Sequence, residues 1–218
     1  IIKINSESIN EQIDNRSKIV NKYNSKEKYI LFADAPIDHL DRTSREGNIS
    51  SNDLDNYYSN LYLALNSLSK KLNKKVLITL HPNKIKNIPK EILNFKKSKN
   101  FILSPKKTIE VIKDAEIFLF TVSSAITHAI VYKKKIINVK SKYLGKHFSE
   151  VAYRYKRYLN FLTLDIDKKF YLPKNYNDQM TKSIKNYDKF IINRLSDGTK
   201  TVSYKKISNL VKSHYKFL

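Results

Sequence analysis

Short apolar runs alternate with amphipathic stretches along most of this 218-residue chain. Each run is rich in Ile, Leu, Val and Phe, is short enough to be a strand, and is bounded by polar or turn-forming residues. The runs that predict strands are residues 28–33, 76–80, 101–103, 117–122, 135–139 and, as a short edge strand, 161–164.

The stretches between these runs predict helices. The clearest is residues 51–72, where leucine and tyrosine recur at helical spacing, residues 51–53 supply capping side chains, and Lys70 and Lys71 suit the end of the helix dipole. Further helices are predicted over residues 88–95, 108–114, 124–133, 143–159, 181–194 and 203–214. This alternation predicts an α/β fold with a Rossmann-like, doubly wound parallel sheet and closing C-terminal helices.

Three segments fall outside the alternation. Residues 1–28 are polar and predict either a connecting helix from a preceding domain or a solvated tail; because the first residue is Ile, we expect an N-terminal domain to be missing. Residues 29–218 then form one Rossmann-like domain with a C-terminal helical extension. Residues 37–51 are charged and poor in apolar side chains, so they predict a functional loop, and residues 173–180 also predict a loop.

The chain is strongly basic, with a formal net charge of +22. Such a charge is typical of proteins that bind nucleic acid or anionic membranes. Only six of the 42 basic residues are Arg, however, and surfaces that read bases favour the bidentate Arg fork. We therefore expect an anionic small substrate or a membrane surface rather than dedicated nucleic-acid binding. The absence of cysteine excludes disulfides and thiolate metal sites.

Polar residues follow two of the predicted strands and form two short motifs. His81-Pro82 ends one strand, and Ser123-Ser124 lies where the other gives way to a helix. A histidine can donate a hydrogen bond to phosphate, and hydroxyl groups beside a helix start suit the same group. Alone, each motif has a simpler structural interpretation, a strand-end His and a Ser N-cap. Together they predict a phosphate site, because ligands of such sheets bind at the carboxyl ends of the strands.

Several segments resemble the carboxyl-terminal half of the GT-B glycosyltransferases that build bacterial surface polysaccharides, especially bacterial sialyltransferases and their capsule-synthesis relatives. The segments are YILFADAP at 29–36, the helix 57–72, VLITLHP at 76–82, FLFTVSSA at 118–125 and KKIIN at 134–138. In that family, an HP motif and a Ser-Ser/Thr motif bind the phosphate of a CMP-sugar. His81 and Pro82 match the first motif, and Ser123 and Ser124 match the second.

The resemblance implies a glycosyltransferase that moves a sugar from a nucleotide-sugar, CMP-sialic acid-like, to a surface glycan such as capsule or lipopolysaccharide. It implies inversion at the anomeric carbon without a metal or other cofactor, with His81 stabilising the leaving phosphate. The acidic motif that carries the family's general base is absent. Asp34, Asp38 and Asp41 are the candidates for acid/base chemistry or a donor contact, unless the base lies in the missing N-terminal region.

Two other functions remain open. One is a sugar-nucleotide epimerase of the same fold, which requires no acceptor. The other is a basic module that binds nucleic acid or a membrane surface with a steep dependence on salt. For the glycosyltransferase we expect a cytoplasmic protein, with the inner face of the membrane as a site of peripheral attachment, since the acceptor glycans of such enzymes often grow there.

Overall fold

The fold is built around one parallel sheet that the sequence predicts correctly. The computed structural model describes residues 28–35, 37, 40–81, 84 and 88–191. Within these residues six strands pair in the order β3-β2-β1-β4-β5-β6. They are β1 Ile30–Ala33, β2 Val76–Thr79, β3 Phe101–Ser104, β4 Ile117–Phe120, β5 Lys135–Lys140 and β6 Leu162–Asp165. The strand order reverses between β1 and β4, which is the arrangement of a Rossmann-like fold and confirms the predicted fold class.

Helices connect the strands and cover both faces of the sheet. They are α1 Leu40–Glu46, α2 Ser51–Leu72, α3 Lys90–Leu93, α4 Thr108–Val111, α5 Ile126–Val131, α6 Gly145–Leu159, α7 Tyr176–Lys185 and α8 Tyr187–Phe190. Short 3₁₀ turns occupy Asn94–Lys97, Ile112–Asp114 and Lys142–Leu144. The helices predicted within residues 1–28 and over 203–214 lie outside the described residues.

Two loop predictions are wrong in part. Helix α1 occupies the middle of the predicted loop 37–51. Its polar sequence has no apolar stripe, so the helix is not visible in the sequence pattern. A contact with a distant element fixes its end, because the Glu46 carboxylate accepts a hydrogen bond of 2.5 Å from the His147 amide at the start of α6. Helix α7 begins at Tyr176, inside the predicted loop 173–180, because Met180 is buried in the core there.

Helix α2 has a capping residue at each end and packs one face against the sheet. Its N-cap is Ser50, one residue before the predicted capping segment, and the Ser50 hydroxyl accepts a hydrogen bond from the Asp53 amide. The helix ends at Asn73, whose left-handed backbone (φ 49°) satisfies carbonyl groups of the last turn. Its buried face packs against β1 and β2, so α2 starts near the carboxyl edge of the sheet and ends near the amino edge.

The core lies on both faces of the sheet, as a doubly wound fold requires. On one face, Leu65 of α2 packs in the same cluster as Ile30 and Phe32 of β1. On the other face, Ala129 of α5 packs in a cluster with Leu31 and other strand residues. Burying one Leu or Ile side chain contributes about 1.5–3 kcal/mol, so these clusters hold the strand ends in fixed register. In the described part of the chain no helix is both long and apolar enough to cross a membrane.

Candidate functional site

The carboxyl edge of the sheet brings the two predicted motifs to either side of β1. Ala33, the last residue of β1, pairs with Thr79 of β2 and with Phe120 of β4. The residues that follow these three positions therefore leave the sheet side by side. His81 lies beyond β2 and Ser123 lies beyond β4, at the point where the strand order reverses. Pro82, Asp38 and the side chain of Asp41 lie outside the described residues.

A tight turn follows β2 at His81. The histidine is half-buried, and its carbonyl oxygen accepts a hydrogen bond from the Lys84 amide at 2.8 Å. This bond joins residues three apart, so the chain reverses immediately after the strand. The position of Lys84 is therefore coupled to that of His81.

A buried ion pair ties this turn to the end of β1. The Lys84 ammonium nitrogen lies 3.5 Å from an Asp34 carboxylate oxygen and donates to the Tyr58 hydroxyl at 2.7 Å. The Lys84 and Asp34 side chains are only 6% and 1% exposed. Removing one partner of a buried pair leaves the other charge uncompensated, which makes such a pair a strong local constraint. Lys84 is not predicted from the sequence, because one lysine three residues after His81 carries no signal in so lysine-rich a chain.

Asp34 is thus placed at the carboxyl edge, as predicted, but within the protein rather than on its surface. It follows β1 directly, and its amide donates to the Thr79 carbonyl oxygen at 3.0 Å. The charge of Lys84 beside it compensates the buried carboxylate. In these surroundings Asp34 stabilises the carboxyl edge of the sheet. Its role in acid/base chemistry stays a prediction.

The turn at Ser123-Ser124 is more closed than the sequence predicts. The helix begins at Ile126, and α5 has six residues. The Ala125 amide donates to the Ser123 hydroxyl oxygen at 3.2 Å, and the Ile126 and Thr127 amides donate to the carbonyl oxygens of Ser123 and Ser124 at the same distance. These three amides are therefore engaged within the chain. The exposed Ser124 hydroxyl and the half-buried Ser123 hydroxyl remain the groups that a phosphate can meet.

His128, one turn further along α5, is half-buried. Burial lowers its pKa below the usual value for histidine. The side chain is therefore neutral at pH 7, and it adds no positive charge to the edge.

Two buried hydroxyl groups lie between the ion pair and the Ser123 turn. Tyr57 and Thr121 are both fully buried, and neither hydroxyl has a hydrogen-bond partner of normal geometry among the described residues. Burial raises the pKa of Tyr57 well above its usual value, the negative charge of Asp34 raises it further, and the nearby Thr121 hydroxyl opposes the rise. Tyr57 therefore stays protonated. The effect of Thr121 on this pKa shows that the two hydroxyls lie close to each other.

Next to these hydroxyls a cavity of about 420 Å³ opens between the ends of β4, β5 and β6 and helix α6. Thr121, Asn138 and Thr163 line it from the strand side, and Phe148 and Tyr153 line it from α6. Its size is within the range of about 300–1,000 Å³ that is usual for small-molecule sites.

A larger cavity of about 790 Å³ lies at the opposite, amino edge of the sheet. Five lysines line it: Lys28, Lys70, Lys74, Lys75 and Lys99. Ligands of doubly wound sheets bind at the carboxyl edge, so the smaller cavity is the better candidate for the functional site. Within the described residues, no group of three or more His, Asp or Glu side chains could hold a metal ion.

No protein-family model matches this sequence, and a search of the curated proteins finds no match. Among solved structures, the UDP-GlcNAc 2-epimerase of Methanocaldococcus jannaschii, in complex with UDP-GlcNAc and UDP, is similar with a TM-score of 0.53 and 13% identity, over 98% of this chain and 55% of that one. The likeness shows the fold. This chain is a Rossmann-like α/β domain similar to that epimerase.

Two transferase structures also match. KpsC of Thermosulfurimonas dismutans, a β-Kdo 2,7-transferase, matches with a TM-score of 0.39 and 12% identity, over 82% of this chain and 54% of that one. The glycosyltransferase VinC, in complex with dTDP, matches with a TM-score of 0.45 and 9% identity, over 97% of this chain and 44% of that one. The chain thus spans about half the length of the solved structures that it matches.

Proposed function

We propose that this chain is the donor-binding part of a glycosyltransferase that uses a nucleotide-sugar. The observation that carries the proposal is the position of His81 and the Ser123-Ser124 turn, on either side of β1 at the carboxyl edge. This is where a doubly wound sheet binds its ligand. The fold likeness to an epimerase that was solved with UDP-GlcNAc and UDP supports a nucleotide-sugar as the ligand class.

In the proposed reaction an acceptor hydroxyl attacks the anomeric carbon while the bond to the donor phosphate breaks. A carboxylate takes the proton of the acceptor, and negative charge collects on the leaving phosphate. The His81 ring and the hydroxyls of Ser123 and Ser124 stabilise that charge by hydrogen bonding. The ion pair of Lys84 and Asp34 holds the His81 turn in place. Asp34, Asp38 and Asp41 stay the candidates for the general base.

The donor in this proposal is a CMP-sugar of the sialic acid type, and the acceptor is a surface glycan. Both rest on the resemblance of the His81-Pro82 and Ser123-Ser124 motifs to those of bacterial sialyltransferases. Peripheral attachment to the inner face of the membrane is part of the same proposal, and the lysine-lined cavity at the amino edge supports it.

The test is binding of CMP, UDP and GDP, and of their sugar conjugates, measured by thermal shift and by calorimetry. We expect one nucleotide to stabilise the wild-type chain, by about 2.7 kcal/mol at one hundred times its dissociation constant. His81→Ala and the double variant Ser123→Ala/Ser124→Ala should each weaken that nucleotide at least tenfold.

Ser104→Ala is the matched control for Ser123→Ala. Ser104 ends β3 at the same edge, and its hydroxyl oxygen accepts a hydrogen bond from the amide two residues on at 3.1 Å, much as Ser123 does. Because β3 is the far edge strand, Ser104→Ala should leave nucleotide affinity unchanged. Equal affinities in the wild type, His81→Ala and the serine double variant would refute the proposed site.

The epimerase is the second candidate, favoured by the fold likeness to a UDP-GlcNAc 2-epimerase. It shares the nucleotide site and differs in needing no acceptor. Incubation of this chain with UDP-GlcNAc alone tests it: formation of the 2-epimer without any acceptor would favour the epimerase over the transferase.

A further inference from the structure

The cavity beneath α6 has polar groups on its strand side that the fold does not use. Thr121 is 0% exposed, and its hydroxyl lies close to that of Tyr57. The Thr163 hydroxyl oxygen is also buried, and it has no hydrogen-bond partner in the described part of the chain. Both residues line the cavity. Folding alone does not explain the Thr163 hydroxyl, because buried polar groups normally have hydrogen-bond partners. A valine would fill the same space with a methyl group.

Asn138 lies between these two threonines in the sheet. It pairs in register with Phe120, the neighbour of Thr121, on one side and with Thr163 on the other. Its side-chain nitrogen donates to the carbonyl oxygens of Phe120 and Thr121, at 3.3 and 3.2 Å. These bonds fix the amide plane. Neither bond uses the side-chain oxygen, which is an acceptor.

The helix side of the cavity is apolar and aromatic. Phe148 and Ala152 are buried there, and Tyr153 is 66% exposed beside them. Lysines 140, 146 and 156 and Glu150 also line the cavity, and all four side chains are exposed. The site thus combines uncharged hydrogen-bonding groups on one wall with flat apolar surface on the other, while its charges are exposed to solvent.

We propose that this cavity binds the base of the donor nucleotide, with Asn138 and Thr163 as the hydrogen-bonding residues. A heterocyclic base is flat, uncharged and edged with donors and acceptors, which matches the two walls. Thr121 precedes Ser123 by two residues, so a nucleotide with its base in the cavity has its phosphate beside the Ser123 turn. The proposal rests on the proposed function, because it assigns the remaining part of the same ligand.

The Thr163 hydroxyl is covered in this structure and reaches a ligand by rotation of its side chain. Rotation about χ1 exchanges the hydroxyl and methyl groups of a threonine between staggered positions. The hydroxyl that lacks a partner in the protein loses no hydrogen bond when it turns toward the base.

Thr163→Val tests the inference, because it removes the hydroxyl and keeps the shape of the side chain. If the hydroxyl serves only the fold, its loss should leave nucleotide affinity unchanged. If it binds the base, nucleotide affinity should fall about tenfold, the effect of one lost hydrogen bond, while the melting temperature stays the same or rises. Affinity for inorganic pyrophosphate, which has no base, should not change. Tyr153→Ala, at the exposed side of the cavity, should likewise weaken nucleotides and spare pyrophosphate.

Thr79→Val is the matched control. Thr79 is also 0% exposed, but its hydroxyl is 2.7 Å from the Thr108 hydroxyl and 3.4 Å from the Phe32 carbonyl oxygen, on the other side of β1. This variant should lower the melting temperature without changing nucleotide affinity.

The outcomes separate this inference from the proposed function. If Thr163→Val and Tyr153→Ala bind every nucleotide as tightly as the wild type while the Ser123/Ser124 double variant loses binding, the base pocket is refuted and the phosphate site stands. If the wild type binds pyrophosphate at least as tightly as every nucleotide, the base pocket is also refuted. If the wild type binds neither, both proposals are refuted.

Discussion

At the scale of single residues, Lys84 and Asp34 matter most to how this edge of the sheet is built. Their side chains are almost fully buried, their charged atoms lie 3.5 Å apart, and Lys84 also donates to Tyr58 of α2. Such a pair need not raise stability above that of an apolar pair of the same size, but breaking it leaves a buried charge without compensation. The pair therefore fixes where the chain can go after β1 and β2.

We expect Lys84→Met to lower the free energy of unfolding by about 3–5 kcal/mol, because Asp34 is then buried without its counter-charge. Asp34→Asn should also be destabilising. The double variant should lose less than the sum of the two single losses, since it buries no net charge at this point. Urea unfolding of the four proteins measures this coupling. Additive losses would show that the two side chains act independently.

His81, Ser123 and Lys84, three residues at this edge, differ in how readily the sequence predicts them. His81 and Ser123 are predicted correctly as strand-end residues, because a polar residue after an apolar run is a local pattern. Lys84 has no such pattern. Its burial depends on Asp34 and Tyr58, which are 50 and 26 residues away in the sequence.

At the scale of elements, a cluster of charges joins strand and helix ends at the amino edge. One Glu116 carboxylate oxygen lies 2.9 Å from the Lys74 ammonium nitrogen, and the other lies 3.3 Å from that of Lys135. Glu116 precedes β4, Lys74 follows α2, and Lys135 begins β5. Burial raises the pKa of Glu116, but the hydrogen bonds from Lys74 and Lys135 and their charges lower it by more, so the net shift is downward.

This shift fixes the sign of a pH effect. A carboxyl group whose pKa is lower in the folded state stabilises the fold above its unfolded pKa, and that contribution is lost as the pH falls through the folded pKa. Glu116→Gln should therefore be less stable than the wild type at pH 7, by no more than about 1 kcal/mol because the pairs are partly exposed. Below both pKa values the difference should vanish.

Thermal unfolding of both proteins between pH 7 and pH 2 measures this effect. Glu110→Gln, at an exposed position of α4, is the control and should match the wild type throughout. A difference for Glu116→Gln that persists unchanged at the acid limit would show that side-chain packing, not charge, accounts for it.

At the scale of the whole molecule, the two edges of the sheet have different chemistry. The carboxyl edge carries His81, Ser123 and the cavity beneath α6, whereas the amino edge carries the lysine-lined cavity. Lysines line both cavities, so the net charge of +22 does not by itself identify the functional edge. A protein with this layout can meet an anionic surface with one edge while the other remains open to small molecules.

We expect the wild type to co-sediment with vesicles that contain phosphatidylserine and not with pure phosphatidylcholine vesicles. Salt should abolish this binding, because the Debye length falls from about 10 Å at 0.1 M to about 3 Å at 1 M. The triple variant Lys70→Gln/Lys75→Gln/Lys99→Gln should bind the vesicles weakly and keep its nucleotide affinity. These three lysines are exposed around the amino-edge cavity.

A triple variant at lysines 106, 168 and 174 loses the same charge from exposed positions outside that cavity and is the control. If both triple variants lose vesicle binding equally, net charge rather than the amino edge is responsible. If duplex DNA binds the wild type more tightly than the vesicles do and no nucleotide binds, the basic binding module is the better interpretation.

The class of fold and the two motifs at strand ends can be predicted from local patterns in the sequence. Apolar runs of strand length that alternate with helical stretches report burial directly, and burial of both faces requires a layered α/β arrangement. The polar residues that end two of those runs are read from the same local pattern. That part of the prediction depends on neighbours in the chain and is confirmed for the described strands.

The tertiary structure decided which of these residues meet. Only the strand order places the end of β1 between those of β2 and β4, and only the packing of α2 brings Tyr57 and Tyr58 to that edge. Helix α1, the Lys84–Asp34 pair and the cavity under α6 all depend on contacts between residues far apart in sequence. A periodic pattern in the sequence indicates that a side chain is buried. The register and order of the strands decide which residues it is buried against.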